Sequence, residues 1–147
     1  MTGRLESIWL KSMRRGPMLP RDRAEVRSGR GIVDNTDQGG RRQVTILSSE
    51  RWCEVTGELG ADLDPMARRA NFLVSGMDLA GTRGKTLRIG ACRFLVHGET
   101  KPCERMDEAL PGLQAAMRRD WAGGVFAEVL DDGEVRVDDE VAWEVSV

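Results

Sequence analysis

The sequence predicts a mainly β domain closed into a barrel or barrel-like sheet, and three observations carry that prediction. Many short apolar and β-branched runs are separated by glycine-containing turns. Only two segments have a clear helical pattern, so two or three short helices are expected beside the strands. No internal repeat is visible. These features together fit a barrel better than a helical or layered α/β fold. At 147 residues the chain is long enough for one domain with a substantial core, residues 1–147, and too short for two full ones.

The elements follow in order. Arg4–Leu10 has apolar residues at Leu5, Ile8 and Leu10, with Trp9 between, and reads as a first strand. Arg14-Arg15-Gly16-Pro17 is turn chemistry, and Glu25-Val26-Arg27 is a short strand before the Gly-, Asp- and Asn-rich loop Gly29–Arg42. Loops of that length are usually functional or disordered. Val44–Leu47 is a β-branched strand. Ser48 or Ser49 caps a helix over Ser49–Gly57, where Trp52, Val55 and Leu59 form an apolar face. Asp62-Leu63-Asp64-Pro65 connects to a strand at Asn71–Val74. Lys85–Ile89 and Cys92–Val96 flank Gly90-Ala91 as a hairpin. Leu113, Met117 and Trp121 recur every fourth residue, predicting a helix over Leu113–Trp121 ended by Gly123-Gly124. Val125–Leu130, Glu134–Val137 and Ala142–Val147 close the chain as strands, with Asp131-Asp132-Gly133 as the turn between the first two.

Charge is unevenly placed. Met1–Arg30 carries eight basic and three acidic residues, whereas Glu128–Val147 carries eight acidic and one basic. A net charge of −2 with this asymmetry argues against a nucleic-acid surface. Nineteen of the 22 basic residues are arginines, which suits bidentate binding of phosphate or carboxylate and equally suits a GC-rich genome. There is no apolar leader and no uninterrupted apolar stretch near the roughly 18 residues a membrane helix needs. A cytosolic chain with reduced thiols is therefore the expectation, with no membrane partner.

Cys103, in Lys101-Pro102-Cys103-Glu104-Arg105-Met106-Asp107, is the most informative residue. Pro102 keeps Lys101 extended, and a fixed cation beside a thiol favours the thiolate. A helix starting just after Pro102 would favour it too, through its unpaired N–H groups. A free cysteine is otherwise most often a small buried hydrophobe, which is how Cys53, on a helix, and Cys92, at a strand start, read. His97, the sole histidine, lies six residues before Cys103 and is a candidate base for its thiol. A lone histidine at a strand end is more often solvated or hydrogen-bonded. One histidine excludes a multi-histidine zinc site. The chain has no Walker-type phosphate loop and no Gly-x-Ser-x-Gly, and Gly29-x-Gly31 is too short for a dinucleotide fingerprint. Arg68-Arg69-Ala70-Asn71 at a strand mouth reads as an anion site or a solvated turn, as does Arg41-Arg42.

In order, these pieces resemble the MOSC family, the domain named for the C-terminal part of molybdenum cofactor sulfurases. The resemblance rests on Arg14-Arg15-Gly16-Pro17-Met18, Gly29-Arg30-Gly31-Ile32-Val33, Arg42 through Glu50, Arg69-Ala70-Asn71, Gly76-Met77-Asp78-Leu79 with Gly81, Leu87-Arg88-Ile89-Gly90 and Lys101-Pro102-Cys103, all in family order. It is to the small bacterial standalone type. The resemblance implies a MOSC-type barrel and the molybdenum cofactor (molybdopterin). Cys103 is then the catalytic residue as sulfur carrier, or the metal ligand as a thiolate on molybdenum. Arg69 and Asn71 are the best receivers of the pterin phosphate, with Arg42 and Lys101 as further candidates. The implied activity is sulfur transfer or reduction of N-hydroxylated compounds. No pyridoxal phosphate is expected on this chain, so the sulfur donor, a cysteine desulfurase, is separate; the reductase variant needs an external electron-transfer reductase, because no iron–sulfur or flavin pattern is present. The segment Asp34-Asn35-Thr36-Asp37 departs from the family pattern, which puts substrate specificity or activity in question. Two other readings stand beside this one: a noncatalytic barrel binding an anion or a protein, and a thiol redox sensor pairing Cys103 with Cys53 or Cys92.

Overall fold

The computed structural model describes residues 2–145, and the last two residues of the predicted strand Ala142–Val147 lie outside them. Eleven strands occur among the described residues: β1 (Gly3–Lys11), β2 (Met18–Arg21), β3 (Arg23–Arg27), β4 (Gly31–Ile32), β5 (Val44–Ser48), β6 (Phe72–Ser75), β7 (Thr86–Ile89), β8 (Cys92–Glu99), β9 (Val125–Val129), β10 (Gly133–Arg136) and β11 (Glu140–Trp143). Three short helices accompany them: α1 (Ser49–Glu58), α2 (Arg105–Ala109) and α3 (Leu113–Ala116).

Seven strands close a barrel in the order β1-β6-β5-β9-β8-β7-β11, and the ring is sealed where Gly3 and Arg4 of β1 pair with Val141 and Glu140 of β11. The closed ring removes the exposed edges an open sheet would leave. The other end of β1 pairs with β2, and β10-β3-β4 form a separate small sheet. Only β5 and β6 are parallel, joined by a crossover through α1. That crossover covers the outside of β5, so all five of its residues are buried. This is the physical reason Val44–Leu47 is apolar apart from Thr45, and does not alternate with exposed polar residues.

Inside the barrel the strands contribute alternate side chains. In β8 these are Cys92, Phe94 and Val96. Phe72 and Phe94 meet edge to face across the interior, with ring centroids 5.7 Å apart. The odd spacing Leu5, Ile8, Leu10 is resolved by a bulge between Leu5 and Ser7, which shifts the alternation by one residue and returns Ile8 and Leu10 to the core. Trp9 consequently faces the second apolar layer, where Trp52, Val55, Leu113, Met117 and Met106 pack the helices onto the barrel wall.

Four expectations change. The loop Gly29–Arg42 holds the short strand β4, and β2 forms where turn residues concealed a strand. The helix expected over Leu113–Trp121 stops at Ala116, where turns take over, the Arg118 N–H bonding the Ala115 carbonyl, and the left-handed backbone at Asp120 and Trp121 keeps it from resuming; Leu113 and Met117 are nevertheless fully buried. Asp131-Asp132-Gly133 does not close a hairpin. It carries the chain from the barrel into the small sheet, where β10 pairs with β3. Gly90-Ala91 does close the expected hairpin between β7 and β8, with Gly90 at φ +58°, a value glycine takes without strain.

Candidate functional site

A polar cleft of about 470 Å³ opens where the end of β1, the β1–β2 turn, the segment before β6 and α2 converge. Its cationic lining is Lys11, Arg15, Arg42, Arg68, Arg69 and Arg105; Cys103 and Glu108 supply the thiol and the carboxyl group. The charge surplus is local, since only Lys11 of these six cations has a carboxylate partner among the described residues.

Arg68 organises the floor. It ends a single 3-10 turn, Pro65–Arg68, which Asp64 caps by accepting from the Met66 N–H. Its guanidinium is nine-tenths buried and donates to the backbone carbonyls of Gly123 and Thr100, at 3.1 and 2.9 Å, while its third nitrogen faces the sulfur of Met106. Gly123 is required for this closeness, because a Cβ there would stand 2.3 Å from the Thr100 carbonyl oxygen. Burial, together with neighbouring Arg42, pulls the Arg68 pKa down to about 10, and the Cys103 thiolate is the group that pushes it back up. Carbonyl dipoles, and no carboxylate among the described residues, face the buried charge of Arg68.

Arg69 follows in the left-handed region, at φ +64°, a conformation that costs a side-chain-bearing residue roughly 1–2 kcal/mol. Its Nη2 is buried and makes no hydrogen bond, and neither does the Thr100 hydroxyl. Both residues line one recess of about 20 Å³ together with Arg42, Arg68 and Thr45. That volume holds one water or one anion oxygen, by the roughly 10–15 Å³ such an atom needs.

Cys103 is exposed, and its carbonyl accepts from the Met106 N–H at the start of α2. The helix does begin after Pro102, but its five residues are too few to give a developed N-terminal dipole. Thus Cys103, Arg69 and Arg42 come together in the cleft. Lys101 is exposed and is not part of the lining. Asn71 is buried and lies outside it: Oδ1 accepts from the Thr45 N–H and hydroxyl, and Nδ2 donates to the Trp9 carbonyl and to Asn35 Oδ1. It ties β1, β5 and β6 together behind the arginines. His97 sits at a bulge in the β8–β9 pairing, where its Nε2 meets Glu128 Oε1 at 2.9 Å and its ring stacks on Phe126; it does not line the cleft. Cys53 is exposed on α1, whereas Cys92 is buried, and its thiol pKa is raised by burial and by Asp131 and Asp139.

Sequence reasoning marked the Arg68-Arg69 pair but placed the ligand role on Arg69 and Asn71. Arg68 was legible only as a member of that cluster, since nothing local distinguishes a buried arginine from an exposed neighbour. Lys11, Arg15 and Arg105 carry weak signals: a strand end, a Gly-Pro turn and a position two residues past Cys103. No group of three or more His, Cys, Asp or Glu side chains that could hold a metal ion occurs among the described residues.

A barrel with a thiol at the lip of an arginine-lined cleft defines a class, and sequence comparison supplies its family. The MOSC domain matches residues 33–142, and the chain belongs to that family, which is associated with the molybdenum cofactor. Among solved structures it is similar to the YuaD protein from Bacillus subtilis, at 24% identity and a TM-score of 0.79, covering 96% of this chain and 94% of that one. It is also similar to YiiM from Geobacillus stearothermophilus (16% identity, TM-score 0.77, 97% of this chain and 75% of that one) and YiiM from Escherichia coli (16%, 0.73, 98% and 71%). These likenesses concern the fold. Among curated proteins, none matches the sequence. No helix among the described residues is long and apolar enough to cross a membrane.

Proposed function

We propose that the cleft binds the molybdenum cofactor through its phosphate, with Cys103 as the soft thiolate that ligates molybdenum or carries sulfur to it. The observation that carries this reading is the pairing of a buried, carboxylate-free Arg68 with the unpartnered Nη2 of Arg69 at the back of a cleft whose lip holds Cys103. The residues fit the group: arginines suit a phosphate bidentately, and a thiolate suits a soft or covalent metal centre.

When bound, the cofactor supplies oxygen-atom or sulfur chemistry at its metal. The chain supplies placement. Arg68 and Arg69 hold the phosphate, Arg42 and Lys11 add charge, and Arg68 also fixes the Thr100 carbonyl just ahead of Pro102 and Cys103. Glu108 is the only carboxylate among the cleft's lining residues and makes no ion pair among the described residues. The sulfur donor, a cysteine desulfurase, or an electron-transfer reductase would come from outside this chain.

The test is pterin and molybdenum analysis of protein made in a host that synthesises molybdopterin. Wild type is expected to retain both. Arg69→Gln is expected to lose pterin, while Cys103→Ser keeps pterin but loses molybdenum if the thiolate is a ligand. If it is a carrier, labelled persulfide sulfur is retained by wild type and not by Cys103→Ser. Equal retention of metal, pterin and sulfur by all three proteins, or retention by none under saturating supply, overturns the reading in favour of a simple binding module.

A further inference from the structure

The segment Asp34–Asp37 is built into the end of β1, next to the cleft. Thr36 donates both its N–H and its hydroxyl to the Lys11 carbonyl, at 2.7 and 2.6 Å, and Asn35 Oδ1 accepts from the Lys11 N–H at 2.8 Å. Asn35 is in turn buried and held by Asn71. These bonds pin the main chain of the segment, not its charges, so Asp37 is carried to Lys11 by the backbone whether or not the carboxylate is attracted there. Asp37 Oδ2 stands 3.7 Å from Lys11 Nζ, and both side chains are partly shielded from solvent.

We propose that Asp37 is a built-in counter-ion that competes with the ligand for Lys11 and so sets the cleft's preference among anions by their charge. This rests on the reading of the cleft as an anion site. Five of the six lining cations have no carboxylate partner among the described residues; the sixth faces a carboxylate whose neighbouring residues tie the main chain to β1. An anion reaching Lys11 displaces Asp37 or shares the ammonium with it. Asp37 thereby withholds part of the Lys11 charge from the ligand, and an anion that needs more of the lining cations to neutralise it loses more by this, so a pyrophosphate or a triphosphate is penalised more than a singly phosphorylated ligand. The effect of Asp37 is therefore to shift the cleft's preference toward a monophosphate ester and away from a pyrophosphate or a triphosphate.

The test is equilibrium binding of inorganic phosphate and inorganic pyrophosphate to wild type, Asp37→Asn, Lys11→Met and the double variant. Asp37→Asn is expected to bind both probes more tightly, by about two- to fivefold as suits a partly exposed ion pair, with the larger gain for pyrophosphate. The gain is expected to vanish in the Lys11→Met background, and also in about 1 M salt, where the screening length falls to about 3 Å. A gain that persists without Lys11, or an equal gain for the two probes, overturns the proposal. Unchanged affinity in Asp37→Asn, with wild type binding normally, overturns it and leaves the cleft reading intact. Failure of wild type and Asp37→Asn alike to bind either probe overturns both.

Discussion

Arg68 answers to burial first, then to the positive charge of Arg42, and last to the Cys103 thiolate, which favours its charged form. Arg68 titrates at about 10 in the free protein, mainly because it is buried, and a bound anion favours its charged form. Below that pH the guanidinium is charged and anion binding is at full strength. As pH rises through about 10 the free protein loses the proton, and affinity for inorganic phosphate is expected to fall; calorimetric titration between pH 8 and 11 reads this, and Arg68→Gln is expected to flatten the profile. The cysteines give a second readout. Cys92 is buried with a raised thiol pKa, so at neutral pH it holds little thiolate and is expected to resist iodoacetamide, while exposed Cys53 and Cys103 react. Pyrophosphate is expected to slow alkylation of Cys103, at the cleft, and leave Cys53 unaffected. Peptide mapping by mass spectrometry distinguishes the two, and equal protection of both would remove Cys103 from the ligand's neighbourhood.

The elements that position these residues were readable wherever a local signal exists. Ser48 caps α1 by accepting from the Arg51 N–H, as its place between a β-branched run and Trp52 suggests. Ser48→Ala is expected to cost about 1 kcal/mol of stability, measured by urea unfolding. The β7–β8 hairpin followed from Gly90 in the same way. What stayed hidden depends on distant partners. The five-residue α2 has no periodicity to detect, β4 exists only because β3 pairs with it, and the left-handed backbone at Asp120 and Trp121, inside the segment predicted as helix, has no glycine to mark it. Acid–base pairing between elements is equally nonlocal. Asp131, in the connection after β9, accepts from the Arg93 N–H and from both arms of its guanidinium, and this holds its carboxyl pKa below the ordinary value. A lowered carboxylate pKa adds stability above the unfolded pKa and loses it as pH falls through the folded one. Asp131→Asn is therefore expected to lower the melting temperature at pH 7, with the difference closing toward pH 2.

Across the whole molecule, β1 links two electrically different ends. At Arg4 it pairs in register with Glu140 and reaches Asp138, so the basic N-terminal segment meets the acidic C-terminal one where the barrel closes. At Lys11, the other end of the same strand, it opens into the cleft, far along the chain from those acids. A nearly neutral protein thereby concentrates positive charge in one place, and this arrangement, invisible in a net charge of −2, follows from the ring order and not from composition. The unliganded cleft holds six cations at close quarters, a self-repulsion that a bound anion relieves. A ligand that binds only the folded state at about one hundred times its dissociation constant adds about 2.7 kcal/mol, which for a domain of this size shifts the melting temperature on the order of 5–10 °C. Inorganic phosphate is expected to produce such a shift in wild type against sodium chloride of matched ionic strength, and a much smaller one in an Arg68→Gln, Arg69→Gln double variant. Because both substitutions lie outside the strands, loss of the shift in a double variant that still melts cooperatively would assign the stabilisation to the cleft, and an undiminished shift would move the anion elsewhere on the barrel.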